Sequence, residues 1–273
     1  MTQMINLSIN GKKIQAPKGT TVLNAATQEG IYIPTICHHE ALEPAGTCRL
    51  CIVEVSGSIR HSIRVSCIQE VKEGLKVETE TERINRNRKL ILELFLGRSP
   101  DTPYIIDLAA KYGVTSSRFL TGESNDCVLC GRCIRVCHDK IGAYALCFVN
   151  RGPARKITTD FERLSEYCIG CGACANVCPT GAIQVEDRGD ERKIFTWGQV
   201  LARFKLERCE HCQTPFAPKK YLDLINEKAY KPKGLELIDY ICPECFKKRD
   251  RASAARRAGA MRKSAVKWSV PRP

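Results

Sequence analysis

The sequence has few of the residues that build an aromatic core, and it has no apolar run that could anchor it in a membrane. Its 273 residues include two Trp and three Met. The longest apolar stretch, around Leu90 to Leu96, contains Glu93 and is far shorter than the ~20 residues of a membrane span. Residues 1–11 lack the basic and apolar segments of a secretory signal. We therefore expect a cytoplasmic chain without a membrane span.

Cysteine is the residue that the sequence has in excess. Seventeen Cys stand in a chain with 43% hydrophobic and 27% charged residues, a composition that is typical of globular proteins and excludes disorder throughout. In a reducing cytoplasm, a dense and odd-numbered set of thiols favours metal binding. A secreted scaffold held together by disulfides is the alternative.

The positive charge is concentrated in the last part of the sequence. Residues 247–273 carry ten basic side chains against a single acidic one, Asp250, and account for +9 of the net charge of +13. This segment lacks a long apolar stripe, so we predict a solvated tail or an arm that docks on an acidic partner subunit. No platform of aromatic and basic residues accompanies it, and we expect no nucleic-acid partner.

The first 80 residues have the pattern of a β-grasp ferredoxin. Two alternating runs joined at Asn10-Gly11 predict a β-hairpin, and a helix is predicted over Thr21 to Glu29, closed by Gly30. The predicted strands are residues 4–9, 12–16, 51–55, 59–67 and 75–79.

The first cysteine group lies in this region, with the spacing C-x10-C-x2-C-x15-C. It consists of Cys37, Cys48, Cys51 and Cys67. One close pair and two distant thiols suit a [2Fe–2S] cluster better than zinc, whose sites usually present two close pairs. The loop Pro44-Ala45-Gly46 can direct backbone N–H groups towards cluster sulfur. His38 and His39 stand beside Cys37, but Cys51 occupies the place where a Rieske centre needs His, so neither is predicted to be a ligand.

The second and third groups repeat the spacing C-x2-C-x2-C-x3-C of bacterial ferredoxins. The first run is Cys127, Cys130, Cys133 and Cys137, and the second run is Cys168, Cys171, Cys174 and Cys178. In this type of domain the fourth Cys of each run ligates the cluster of the other run. The predicted ligands of one [4Fe–4S] cluster are therefore Cys127, Cys130, Cys133 and Cys178, and those of the other are Cys168, Cys171, Cys174 and Cys137.

Two residues near these runs depart from the pattern. Pro179 follows the second run, whereas His138 stands at the corresponding place in the first run, which weakens the local turn but removes no ligand. Cys147 fits none of the spacings, and we predict that it is a buried thiol that binds no metal.

The fourth group consists of two C-x2-C pairs separated by 29 residues, Cys209 with Cys212 and Cys242 with Cys245. Two such knuckles indicate a structural zinc site of the zinc-ribbon kind, although the gap is longer than usual. A further [4Fe–4S] cluster is the alternative. Four thiolates close a tetrahedral site, so His211 is not expected to be a ligand.

From Ile5 to Val185 the chain resembles the N-terminal iron–sulfur region of the large subunit of NADH:quinone oxidoreductase (complex I). It also resembles the small iron–sulfur subunit of the diaphorase module in NAD-linked hydrogenases and formate dehydrogenases. The matching stretches are residues 37–67, 73–77, 127–137, 142–152 and 168–183. The resemblance implies a role in carrying electrons between a flavin subunit and a catalytic subunit.

The chain departs from this family at one cluster. Family members usually carry an additional cluster with one His and three Cys ligands, just after a helix like the one predicted over Thr81 to Leu96. Residues 97–126 contain neither His nor Cys, so that cluster must be absent. Either the [2Fe–2S] region approaches the double-cluster region directly, or it meets its partner independently. The C-terminal cysteine pairs lie outside this resemblance and are similar to pairs in some dicluster ferredoxin-like hydrogenase subunits.

The predicted fold class is α+β, with a β-grasp [2Fe–2S] ferredoxin domain, a bacterial-type 2[4Fe–4S] ferredoxin domain and a small C-terminal metal-knuckle segment. The predicted divisions are residues 1–80 for the first domain, 81–120 for a helical connector without the additional cluster, 121–190 for the second domain, 191–246 for the zinc-ribbon-like segment and 247–273 for the basic tail.

The sequence contains no dinucleotide-binding fingerprint, no P-loop and no catalytic triad, so no catalytic residue is predicted. The predicted cofactors are one [2Fe–2S], two [4Fe–4S] and one zinc ion, or an additional [4Fe–4S] in place of zinc. We predict an electron-transfer subunit of a soluble multi-subunit oxidoreductase, with a flavin-containing NAD(P)H-type subunit and a hydrogenase- or formate-dehydrogenase-like catalytic subunit as partners. The alternatives are a free-standing ferredoxin-like carrier and a redox-sensing assembly or regulatory protein.

Overall fold

A computed structural model describes residues 3–119, 126–196, 199–228 and 240–249. The chain divides into two compact units. The first unit comprises residues 1–168, 172–185 and 195–201, and the second comprises residues 169–171, 186–194 and 202–273. Most of the predicted basic tail, from residue 250 onwards, lies outside the described residues. Within the described ranges, no helix has the length and apolar character needed to cross a membrane.

The first unit begins with a five-stranded mixed sheet. Its strands are β1 (Met4–Ile9), β2 (Lys12–Pro17), β3 (Ile52–Gly57), β4 (Ser62–Val65) and β5 (Leu75–Glu78). They are arranged in the order β2-β1-β5-β3-β4, with β1 and β5 parallel and the other neighbours antiparallel. Helix α1 (Val22–Gln28) contributes Val22 and Leu23 to the core on this sheet. This is the predicted β-grasp arrangement, and the predicted α+β class is confirmed.

Local sequence signals explain the start of this fold. Asn10 and Gly11 both have positive φ, 50° and 78°, as a two-residue hairpin turn requires, and Ile9 pairs with Lys12 across it. The hydroxyl of Thr21 caps α1 by accepting from Asn24 N. The predicted strand over 59–67 is too long, because β4 spans only four residues before the chain turns towards Cys67.

The connector that follows is helical, as predicted. Thr81 caps helix α2 (Glu82–Arg98), and Pro103 opens helix α3 (Pro103–Ala110), where its missing N–H costs no hydrogen bond. Leu92 and Leu96 of α2 pack with Ile105 of α3 in a second core. The guanidinium of Arg88 is fully buried and donates to the carbonyls of Leu50 and Ile52.

The cysteine runs lie on short elements. The first unit continues with helix α4 (Arg132–Arg135), a π-helix (Val136–Ile141), strands β6 (Cys147–Val149) and β7 (Lys156–Thr158), and helix α5 (Ala173–Asn176). Strands β6 and β7 form an antiparallel pair.

The second unit contains most of a four-stranded sheet. The strands β8 (Gln184–Arg188), β9 (Glu191–Thr196), β10 (Gln199–Arg208) and β11 (Pro215–Pro218) are arranged in the order β11-β10-β9-β8 and are followed by helix α6 (Lys219–Lys228). Residues 243–249 are also helical.

Candidate metal centres

All seventeen cysteines are free thiols, so none is withdrawn from metal binding by a disulfide. The first group is wholly buried, as are the first three Cys of the first run. Buried thiols that form no disulfide and gather around common points fit metal centres.

The thiols of the first group form two pairs. A hydrogen bond from Cys48 lowers the pKa of Cys37 to about 4, and one from Cys67 lowers the pKa of Cys51 to about 7. The pKa values of Cys48 and Cys67 are raised, because each is the partner that keeps its proton. Two thiols on each side of a common centre suit a [2Fe–2S] cluster, in which each iron takes two protein ligands.

The loop between Cys37 and Cys51 directs backbone N–H groups at these sulfurs. The amide of Cys48 lies 3.5 Å from Cys37 Sγ, and the amides of Gly46 and Leu50 offset part of the rise in the pKa values of Cys67 and Cys48 respectively. Gly46 has a φ of +62°, and a Cβ there would come within 3.3 Å of the Ile68 side chain. Donors of this kind stabilise bound thiolates, so the loop fits an anionic cluster.

The first run is the more deeply buried of the two. Burial raises the pKa of Cys127 to about 12 and also raises the pKa values of Cys130 and Cys133. The charge of Cys178 raises all three values further, so Cys178 lies beside the first run rather than only beside its own. This position supports the exchange of fourth ligands, which stays a prediction.

The remaining predicted [4Fe–4S] group combines Cys137 with three Cys of the second run. Cys137 accepts from the amide of Ala145 at 3.3 Å, and Cys168 N donates to Ser165 Oγ at 3.2 Å. The charge of Cys174 raises the pKa of Cys133, so this thiol also faces the first run. Cys171 belongs to the second unit. The ligand set of this second [4Fe–4S] cluster stays a prediction.

The [2Fe–2S] group and the first run share one hydrophobic core. Cys37 and Cys48 pack in the same cluster of buried residues as Cys130, and Thr47 Oγ1 donates to the Cys130 carbonyl at 3.3 Å. The charge of Cys37 also raises the pKa of Cys130. Of the two arrangements that the sequence left open, the first unit has the direct approach.

Two arginines at this contact were not singled out from the sequence. The guanidinium of Arg132 donates to the carbonyl of His38, and that of Arg135 donates to the carbonyls of Cys37 and Glu43, the latter at 2.6 Å. In the sequence they are marked only by their position inside the first run, where charged side chains would ordinarily be expected to point into solvent. Only the fold reveals that they reach the [2Fe–2S] loop.

Three side chains outside the predicted ligand sets have other partners. His39 Nδ1 accepts from Ala41 N, and His138 Nε2 lies 2.8 Å from the Leu146 carbonyl. Cys147 lies on β6 with its sulfur 3.5 Å from Asp160 Oδ1, and it is partly exposed. The prediction that Cys147 is buried is therefore wrong, because β6 and β7 form a two-stranded pair that covers little of it.

The fourth group lies wholly in the second unit and is the tightest. The four sulfurs of Cys209, Cys212, Cys242 and Cys245 all lie within 4.8 Å of one another. Among the described residues, no other group of three or more potential metal ligands meets this distance. Burial opposes ionisation of Cys209, but the amides of Cys242, Cys212 and His211 together lower its pKa to about 6. These amides therefore stabilise a thiolate at Cys209, and zinc binds cysteine as thiolate.

Comparisons with known proteins identify two iron–sulfur domains. Residues 2–82 match the family of the 2Fe–2S iron–sulfur cluster binding domain, and residues 167–215 match the 4Fe–4S dicluster domain. The second match begins just before the second run and extends past Cys212.

The similar proteins are subunits of larger assemblies. The NADPH-Fe(3+) oxidoreductase subunit alpha of Geobacter sulfurreducens is 38% identical over 66% of this chain and 24% of its own length. An NADH-quinone oxidoreductase subunit of Rhizobium meliloti is 32% identical over the same shares of the two chains. The chain spans about a quarter of the length of these curated relatives.

A solved structure agrees with these relatives. A chain of the NAD+-reducing [NiFe]-hydrogenase in the H2-reduced state has a TM-score of 0.50 and 29% identity, over 57% of this chain and 75% of that one. The resemblance predicted from the sequence is thereby confirmed. The chain contains a 2Fe–2S domain and a 4Fe–4S dicluster domain, and it is related to subunits of NAD(P)H-linked oxidoreductases.

Proposed function

We propose that this chain is an electron-transfer subunit of a multi-subunit oxidoreductase in the cytoplasm. Its partners are a flavin-containing NAD(P)H-type subunit and a catalytic subunit of the hydrogenase or formate dehydrogenase kind. The observation that carries the proposal is the shared core of the [2Fe–2S] group and the first run. The names of the relatives, which combine NAD(P)H or NAD+ with a second redox substrate, support the same conclusion.

The proposed cofactors are one [2Fe–2S], two [4Fe–4S] and one zinc ion. The ligands are Cys37, Cys48, Cys51 and Cys67 for [2Fe–2S]; Cys127, Cys130, Cys133 and Cys178 for one [4Fe–4S]; Cys168, Cys171, Cys174 and Cys137 for the other; and Cys209, Cys212, Cys242 and Cys245 for zinc. When bound, the iron–sulfur clusters supply one-electron transfer, and the protein tunes them through burial and hydrogen bonds.

The chain's own residues contribute by holding the ligand loops together and keeping water out. The amide of Cys48 donates to Cys37 Sγ within the [2Fe–2S] group. The hydroxyl of Thr47 donates to the carbonyl of Cys130 in the first run. Leu50 and Leu92, both fully buried, close the space between the loops and the connector helix. No additional cluster is needed between two groups that are already in contact.

Zinc is favoured over a further [4Fe–4S] cluster by the spacing of the sulfurs. A tetrahedral ion with bonds of about 2.3 Å separates its sulfurs by about 3.8 Å. Cys212 Sγ and Cys242 Sγ lie 3.7 Å apart. A [4Fe–4S] cluster distributes four thiolates over four irons, so its sulfurs stand farther apart than those on one ion.

Metal analysis and co-purification of the anaerobically prepared full-length chain test the proposal. We expect about ten irons and one zinc per chain, together with stoichiometric recovery of a flavoprotein in a native pull-down. About fourteen irons without zinc would replace zinc by a third [4Fe–4S] cluster. A chain recovered without any flavoprotein or catalytic subunit would contradict the role as a subunit.

Replacing single cysteines separates the sites. Cys212→Ser should remove zinc and leave all iron, whereas Cys147→Ser, a matched change at a thiol outside the ligand sets, should remove neither. Loss of about four irons from Cys212→Ser would contradict the zinc assignment.

A further inference from the structure

The contact between the [2Fe–2S] loop and the first run depends on two guanidinium groups. Arg132 donates to the His38 carbonyl, while Arg135 donates to two carbonyls of the same loop, those of Cys37 and Glu43. Residues 37–43 lie more than ninety positions away in the sequence, so these hydrogen bonds join segments that no local structure brings together.

The second run supplies an internal comparison. The two runs have the same spacing, and the residues that correspond to Arg132 and Arg135 are Ala173 and Asn176. A run with this spacing therefore does not need arginine at either place to hold its ligands. The arginines occur in the run that meets the [2Fe–2S] loop.

Charge explains why arginine is used at a partly buried contact. Burying a guanidinium costs free energy unless anionic groups and acceptors face it. The charge of Arg132 favours the thiolate of Cys130 against the effect of burial, and its Nη2 donates to the His38 carbonyl of the neighbouring ligand loop. The fork of donors in arginine can hold a carbonyl in a fixed direction, which the point charge of lysine cannot do.

We propose that Arg132 and Arg135 are positioning residues that lock the [2Fe–2S] loop to the first run and so fix the separation of the two centres. This inference rests on the proposed direct contact between the two centres. It attributes that contact to the side chains of Arg132 and Arg135. The ligands themselves are held by their own loops, so removal of the arginines should loosen the contact and leave both clusters bound.

The test uses the full-length, cluster-loaded chain with Arg132→Ala and Arg135→Asn together, which places the residues of the second run in the first. Iron content should stay unchanged. Amide hydrogen exchange over residues 38–48 should become roughly tenfold faster or more, because the three hydrogen bonds that restrain this loop are lost. The magnetic interaction between the two reduced centres, measured by EPR, should weaken.

Two further variants separate the geometry from the charge. Arg132→Lys with Arg135→Lys keeps both charges but loses the fork, so the exchange rate should rise while the reduction potentials stay near those of the wild type. Arg98→Gln is the matched control. Arg98 donates to the carbonyls of Cys127 and Arg155 but to none of the [2Fe–2S] loop, so exchange over 38–48 should not change.

The results distinguish this proposal from the one on which it rests. Wild-type exchange and magnetic interaction in the Ala/Asn variant would overturn the positioning role. Absence of a magnetic interaction in the wild-type protein would instead contradict the direct contact of the centres. If the Ala/Asn variant loses iron, the single variant Arg135→Lys serves as the test. An unchanged exchange rate over residues 38–48 in Arg135→Lys would then overturn the proposal.

Discussion

The two [4Fe–4S] runs have identical ligand spacing, yet the chain continues differently after each. In the first run, helix α4 passes into a π-helix that continues beyond Cys137 to Ile141 and is followed by Gly142, whose φ is +78°. In the second run, helix α5 ends at Asn176, before the fourth Cys, and Pro179 follows. Proline has no N–H for a helix and disfavours helical backbone in the residue before it. The residue after the last ligand thus permits a longer helix in the first run and disfavours one in the second.

The runs also differ in exposure. Three Cys of the first run are buried, whereas Cys168, Cys171 and Cys178 are partly exposed. The first run faces the [2Fe–2S] loop inside the first unit, and the second run retains access to solvent. Equal spacing thus specifies equal ligands, whereas the residues between and after the ligands set the surroundings of each centre.

The largest effect is expected from breaking the exchange of ligands between the runs. Cys178→Ala should remove about four irons and abolish the EPR signal of the cluster held by Cys127, Cys130 and Cys133, because its fourth ligand comes from the other run. EPR and iron analysis of the anaerobic protein check this, with Cys147→Ser as the control that retains all iron. Damage confined to the Cys168 group would show that each run keeps its own fourth ligand.

A smaller effect is expected from giving the first run the proline of the second. His138→Pro should destabilise the holoprotein by about 3 kcal/mol, because proline inside a helix removes a hydrogen bond and clashes with the preceding turn. Denaturant unfolding under anaerobic conditions measures the change. The reciprocal change, Pro179→His, should cost less than about 1 kcal/mol, and equal costs for both would refute the role of residue 138 in extending the helix.

The smallest effect is expected at glycine positions within the runs. A Cβ on Gly170, whose φ is +75°, would lie 2.6 Å from Pro218 and 2.8 Å from the ring of Phe204. Leu129 occupies the corresponding place in the first run with a φ of 54°, so this backbone conformation tolerates a side chain where neighbours leave room. Gly170→Ala should therefore cost roughly 2 kcal/mol through overpacking and strain.

Gly131→Ala is the control for that change. Its φ is +72°, but its Cβ would lie 3.5 Å from Phe148, an ordinary contact. Only the conformational cost remains, about 1 kcal/mol. Thermal unfolding of both variants compares them, and a larger loss from Gly131→Ala would contradict the importance of the packing at Gly170.

Features set by neighbouring residues could be predicted from the sequence. The hairpin turn at Asn10-Gly11 and the helix caps at Thr21 and Thr81 depend on local backbone chemistry, and they lie where the sequence indicates. The spacing of the cysteines likewise indicates the kinds of cluster, and two domain families agree with it.

Features set by tertiary packing could not be predicted. Nothing near Arg135 in the sequence indicates that it donates to Cys37, because the pairing depends on how the connector folds the first run back onto the β-grasp sheet. The partial exposure of Cys147 depends in the same way on the short strand beside it. The early end of strand β4 reflects the turn that brings Cys67 to its partners, which outweighs the β-propensity of that segment.

The buried Arg88 has a consequence for the order of events during synthesis. Its guanidinium binds the carbonyls of Leu50 and Ile52, on either side of the ligand Cys51, and it pairs with Glu80 at 2.7 Å. Chains emerge from the ribosome from the N-terminus at about 5–20 residues per second, so the cysteine loop appears several seconds before the helix that completes it. Until residue 88 arrives, those carbonyls lack the donor that the folded protein gives them. Stable insertion of the first cluster should therefore wait for the connector, and a β-grasp segment released without it would be a poor acceptor of iron and sulfide.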